Sequence, residues 1–173
     1  LNMLNKFGAN TLLGCSVELY GEEVDKLSLD ERITISSMAT EMGAIIILIP
    51  PNDEIIKYSE EHSGKKMEKI LADEAASYEK EYVLELSEFV PMMSRPGHPD
   101  DAVDIKDVKG IKIDSAFIGS CTNGRYEDMA TVANILKGRK VAPGVVLKIV
   151  PSTDEIWQQL LNDGIMKIFK DAG

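Results

Sequence analysis

Residues Asp114–Met129 read DSAFIGSCTNGRYEDM, and the order of residue types in this stretch decides the fold. Ile113–Ile118 is an apolar run of strand length, and Gly119–Gly124 is a turn. Arg125–Lys137 then carries Met129, Val132, Ala133 and Leu136 on one helical stripe, closed by Gly138. Val145–Val150 predicts a second buried strand, Thr153 caps a helix over Asp154–Leu161, and Ile165–Asp171 is a last short helix. Strand, helix and strand in succession imply a parallel sheet with right-handed crossovers.

The upstream sequence follows the same grammar. Thr11–Tyr20 predicts a strand ending at Gly21. Ser28 caps a helix over Leu29–Met42, with Glu31 as its capping-box partner and Gly43 as a left-handed stop. Ile45–Ile49 is an unbroken aliphatic run, the pattern of a strand covered on both faces, and Pro50-Pro51 ends it. Asp53–Glu81 is highly charged and reads as mostly helical with a solvated face, broken at His62-Ser63-Gly64. Tyr82–Val90 alternates like a half-polar strand. Pro91–Asp107, rich in proline and without periodicity, reads as a long loop at a domain boundary. The expected fold is therefore α/β, a three-layer αβα arrangement with a largely parallel sheet. Residues 1–108 form one αβ domain and 109–173 the start of a second.

Composition narrows the function. The chain has 173 residues, 44% hydrophobic and 28% charged, ordinary values for a globular protein. Its net charge of −10 repels phosphate backbones and argues against nucleic-acid binding. The longest apolar run, Ala44–Pro51, is far short of the roughly 20 residues of a spanning helix, so no membrane partner is expected. Cys15 and Cys121 form no disulfide framework and suit a reducing, cytoplasmic compartment. No basic-then-apolar leader is visible. The chain opens on Leu1 and ends on Gly173 without a tail, which reads as a fragment.

Chemistry concentrates in Gly119–Gly124. The glycines let backbone approach a ligand, and the start of the following helix favours negative charge, which stabilises a thiolate at Cys121. Three readings of Cys121 stand side by side. It is a small buried residue in a tight turn, a nucleophile, or a metal ligand. A nucleophile needs a base, and the only histidines, His62 and His98, lie in loop-like segments. A ligand to an iron–sulfur cluster needs further cysteines from outside this chain. A non-catalytic αβ module that binds small anions at the turn is the alternative of a different class.

Read together, GSCTN followed by GRYEDM resembles the iron–sulfur segment of the aconitase superfamily, in its 3-isopropylmalate dehydratase and homoaconitase branch. Collinear stretches agree: ELYG at Glu18–Gly21, LSLDER at Leu27–Arg32, MATEMGA at Met38–Ala44, LKGRKVAPGV at Leu136–Val145, and Val150-Pro151-Ser152. The resemblance covers nearly the whole chain. It implies an iron–sulfur-domain-like fold and a hydro-lyase that moves a hydroxyl between adjacent carbons of a hydroxy di- or tricarboxylic acid. It implies a [4Fe–4S] cluster held by three cysteines, the first of them Cys121 and the others in a C-x-x-C element that this chain does not reach. By the same resemblance Glu41 is the active-site glutamate and Ser37 stands at a substrate contact; Asn123 either hydrogen-bonds a cluster sulfur or substrate or, with Thr122 as the other candidate, caps the helix. The family usually has asparagine at the position of Ser37. A small swivel-domain subunit is the implied partner. The catalytic base and most substrate-binding arginines fall in segments absent from these 173 residues.

Overall fold

A computed structural model describes residues 1–120 and 122–173. It divides into two compact units, Leu1–Lys109 and Gly110–Gly173. Both mix helix with parallel strand pairs, as the α/β reading requires.

The second unit has the predicted order. Strand β5 (Ser115–Ile118) pairs in parallel with β6 (Val146–Ile149), with Ser115 opposite Val146 and Ile118 opposite Ile149. Between them runs helix α5 (Tyr126–Leu136), and after them α6 (Asp154–Asn162) and α7 (Ile165–Ala172). Met129 and Leu160 are completely buried and meet Ala133, Ile156, Ile165 and Phe169, while Ile118 and Ile149 pack onto that cluster. Each such side chain contributes about 1.5–3 kcal/mol by leaving water. Thr153 caps α6 by accepting the Ile156 N–H, as expected. The strands depart from expectation in one respect. Only alternate residues are covered, and Phe117 on the other face is 57% exposed.

In the first unit, β1 (Ser16–Glu18) pairs in parallel with β2 (Ile46–Leu48). Leu4 and Phe7 of α1 (Asn2–Phe7) cover it, together with Leu12, Ala39, Met42, Ala44 and Ile47. Within β2 only Ile47 is buried, so this strand too is covered on one face. The short α2 (Glu22–Asp25) precedes α3 (Leu29–Ser37). The Ser28 and Glu31 capping box forms as read. Arg32 of α3 is 5% exposed and donates to the carbonyls of Leu27, Pro50, Val24 and Asp25. That guanidinium ties the α2–α3 corner to the end of β2, because a buried cation needs its donors satisfied.

Four expectations fail here. Helix α3 stops at Ser37 and not at Met42. Its β-branched and serine run Ile33–Ser37 is a poor helix former, and a separate 3-10 turn spans Thr40–Met42. Helix α4 (Asp53–Ser63) starts at the Asn52 cap and ends where Gly64 turns left-handed, at φ 67°, so the charged segment after it is not helical. Tyr82–Val90 does not pair as a strand. Its backbone is met by side chains: Asn2 both donates to the Val90 carbonyl and accepts the Val90 N–H, and Lys6 donates to the Val83 carbonyl. Just before this segment, Tyr78 donates to Glu18, which holds its phenol up at about 12. The Pro91–Asp107 segment is an antiparallel hairpin, β3 (Met92–Ser94) against β4 (Ala102–Asp104), inside the first unit.

Candidate functional site

The turn after β5 is built around two glycines that meet the end of β6. Gly119 has φ 130° and Gly124 φ 87°, both in left-handed territory. A Cβ on Gly124 would sit 2.7 Å from the Val150 carbonyl oxygen, and one on Gly119 closer still. The Val150 N–H donates to Ile118 at 2.8 Å and the Ser152 N–H to the Gly124 carbonyl at 3.0 Å. The turn is therefore pressed onto the outgoing end of β6, outside the carboxyl ends of both strands, where open α/β sheets place ligands.

Its polar groups are largely consumed internally. Ser120 Oγ accepts the N–H groups of Thr122 at 3.1 Å and Asn123 at 2.8 Å, while the Ser120 N–H donates to the Asn123 carbonyl. Asp128 Oδ2 accepts the N–H groups of Gly124 at 2.8 Å and Arg125 at 3.1 Å. The expected caps, Thr122 and Asn123, do not cap α5. Arg125 occupies the N-cap position, and the carboxylate three residues on does the capping. Asn123 instead accepts from the Thr122 hydroxyl at 3.0 Å, and its amide nitrogen lies 3.5 Å from Asp128. Four N–H groups around this turn are thus engaged by side-chain oxygens of the turn and of the first turn of α5. The first turn of α5 is anchored again by Tyr126, whose hydroxyl donates to Asp163 at 2.6 Å; this bond pushes the phenol above its ordinary pKa.

Asp128 and Tyr126 were not among the expected site residues. For Asp128 a signal was present, an acidic residue three positions after the residue that ends the turn, where its charge and oxygens complement helix N–H groups. For Tyr126 the partner is 37 residues away, and no local pattern announces it.

Cys121, the expected metal ligand, lies outside the described residues. What surrounds it in the chain bears on whether it suits a cluster. The flanking turn is ordered by its own bonds, and Ser152 Oγ, on the segment clamped to Gly124, is buried with no hydrogen-bond partner among the described residues. A buried hydroxyl without an acceptor fits a site completed by an electron-rich group. The donor set fits one corner of a cluster, not a whole one. Among the described residues no three His, Cys, Asp or Glu side chains are grouped to hold a metal, and Cys15 is an exposed residue of the first unit.

Ser37 and Glu41 belong to the first unit. The sequence places them one turn apart on a single helix, but α3 ends at Ser37 and Glu41 sits in the 3-10 turn beyond it. Ser37 lines a shallow depression of about 260 Å³ with Arg32, Ile33, Ser36, Ile49 and Ile55; Glu41 does not line it. Glu41 is half-buried and accepts from the Thr40 hydroxyl at 2.8 Å. Gly43, at φ 80°, closes this corner, where a Cβ would lie 2.7 Å from the Ala9 carbonyl oxygen. No helix among the described residues is long and apolar enough to cross a membrane.

The chain is similar in sequence to known proteins along its whole length. The chain is 40% identical over 173 residues to the 3-isopropylmalate dehydratase large subunit of Acetivibrio thermocellus. It is 35% identical over 173 residues to 3-isopropylmalate dehydratase large subunit 1 of Methanopyrus kandleri, and 34% identical over 174 residues to large subunit 2 of Archaeoglobus fulgidus. All of the chain is covered in each case, against 41–42% of each relative, so the chain spans about two-fifths of their length. The aconitase family (aconitate hydratase) matches residues 1–173. A glycine-framed GSCTN turn between a parallel strand and its helix, carried by a chain that matches along its full length, places this protein in the aconitase family.

Proposed function

We propose that these residues are part of the large subunit of a hydro-lyase that moves a hydroxyl between adjacent carbons of a hydroxy di- or tricarboxylic acid, of the 3-isopropylmalate dehydratase or homoaconitase type. The observation that supports this most is the β5–turn–α5 unit, a rigid turn carrying one cysteine at the carboxyl edge of a parallel strand pair. In this reading Cys121 gives one thiolate to a [4Fe–4S] cluster, whose other ligands lie outside these residues. When bound, that group supplies a Lewis acid for the departing hydroxyl.

The chain's own residues do the rest of what falls to this region. The Ser120 and Asp128 bonds hold the backbone N–H groups of residues 122–125, next to position 121. Asn123 contributes a polar amide at the same turn. In the first unit Glu41 holds a carboxylate for a substrate or water proton, and Ser37 offers one hydroxyl, shorter than an asparagine amide and with a single donor. A small swivel-domain subunit completes the enzyme, and the compartment is the cytoplasm.

The test is the complete gene product, co-purified with a small-subunit partner and assayed on 3-isopropylmalate, homocitrate and citrate. Turnover is expected on the first or second substrate. Cys121→Ser is expected to remove the visible chromophore and about 10³-fold or more of kcat. Full activity in Cys121→Ser overturns the proposal. The 173-residue chain alone, reconstituted with iron and sulfide, is expected to show no stable [4Fe–4S] chromophore.

A further inference from the structure

Two hydrogen bonds to one oxygen atom carry the inference. Asp128 Oδ2 accepts both the Gly124 and Arg125 N–H groups, at 2.8 and 3.1 Å, and this ends the turn and starts α5 at a defined residue. Asp128 therefore reaches back from the first turn of the helix to the loop that carries position 121. Met129, the next residue, is completely buried in the core of the second unit. The turn is thus fastened to a completely buried residue of that unit's core through a single peptide link. On its other side, Ser120 Oγ gathers the N–H groups of Thr122 and Asn123. Gly119 and Gly124 hold the base of the turn against Val150.

Resting on the reading of Cys121 as a cluster ligand, we infer that Asp128 is the positioning residue for that ligand. It holds the Gly124–Arg125 end of the turn in one backbone arrangement. The physical reason is that a helix start leaves N–H groups unpaired, and these would otherwise bond to water in several alternative loop geometries. A carboxylate that takes two of them leaves one geometry. Groups that orient a metal ligand from behind are commonly worth 10–100-fold in metal retention.

The experiment uses the complete gene product, loaded with its cluster and followed by visible absorbance and by electron paramagnetic resonance of the oxidised cluster. Asp128→Ala is expected to lose its chromophore about tenfold faster than wild type in the presence of a chelator, well below the melting temperature, with a broadened resonance. Asp128→Asn keeps an oxygen that accepts both N–H groups and is expected to restore most of the retention. Thr153→Ala is the control. It removes the cap of α6, whose Oγ1 accepts the Ile156 N–H at 3.3 Å, and should lower stability comparably without changing the decay or the resonance. If Asp128→Ala decays like wild type, or no faster than Thr153→Ala, the inference fails while the ligand reading stands. If wild type holds no cluster, or Cys121→Ser keeps one, both fail together.

Discussion

Two corners of this protein carry the residues assigned to chemistry, and they are built differently. The turn from Gly119 to Arg125 is held by side-chain oxygens, Ser120 and Asp128, that collect four backbone N–H groups, with two glycines beneath them against Val150. The corner from Ser37 to Gly43 has no comparable net. It is a helix end and a 3-10 turn closed by one left-handed glycine, with Glu41 held by its neighbour Thr40. The first is a mould of side-chain oxygens and glycines around the backbone. The second offers a carboxylate on a short turn whose shape depends on the packing of Ala39, Met42 and Ala44.

The largest expected effect tests the mould. In Gly119→Ala, the new Cβ collides with the Val150 carbonyl at a φ that side-chain-bearing residues avoid. A loss of at least about 3 kcal/mol is expected, read by urea denaturation. A loss below about 1 kcal/mol would show that the turn can move away from β6.

Gly43→Ala asks the same of the other corner. Its φ of 80° and the 2.7 Å approach to the Ala9 carbonyl predict a smaller loss, since the clash is less close than at Gly119. Roughly 2 kcal/mol is expected, by the same measurement. An equal or larger loss than in Gly119→Ala would reverse the comparison.

The smallest effect concerns a third loop, between β3 and β4, held by charge and not by backbone fit. Arg95 donates to both carboxylate oxygens of Asp101, at 3.0 and 2.6 Å, and holds its carboxyl below the ordinary value. A lowered folded pKa means that the contribution is complete above the unfolded value, about 3.9, and is lost as pH falls through the lower folded value. Both side chains are well exposed, so the change is local. Amide exchange at Arg95, whose N–H donates to the Asp101 carbonyl, should quicken in acid before either core is affected. Unchanged exchange through that range would assign the loop's shape to Pro96, Gly97 and Pro99.

How much of this was legible follows from the range of the interactions. Strand β5, its turn, α5 and β6 are local patterns, and each appears within a residue or two of its expected ends. The Ser28 and Thr153 caps were legible because a cap bonds three residues away. The segment from Tyr82 to Val90 was not. Its alternation asked for a strand partner, and what meets its backbone is the Asn2 and Lys6 side chains, some 80 positions away. The charged run after Gly64 likewise resembled helix, because composition does not report that a helix has already been closed by a left-handed residue.

By itself the sequence determined the α/β class, the parallel strand order, and the turn on which a thiol sits, since these depend on short-range periodicity and on glycine's freedom at positive φ. Only the tertiary structure decided that Asp128 organises that turn, that Ser37 and Glu41 do not share a helix, and that each parallel pair has one covered face. Those outcomes depend on which N–H groups find which acceptors, and on which surfaces meet once the chain is closed. Neither is encoded in the spacing of residues along a line.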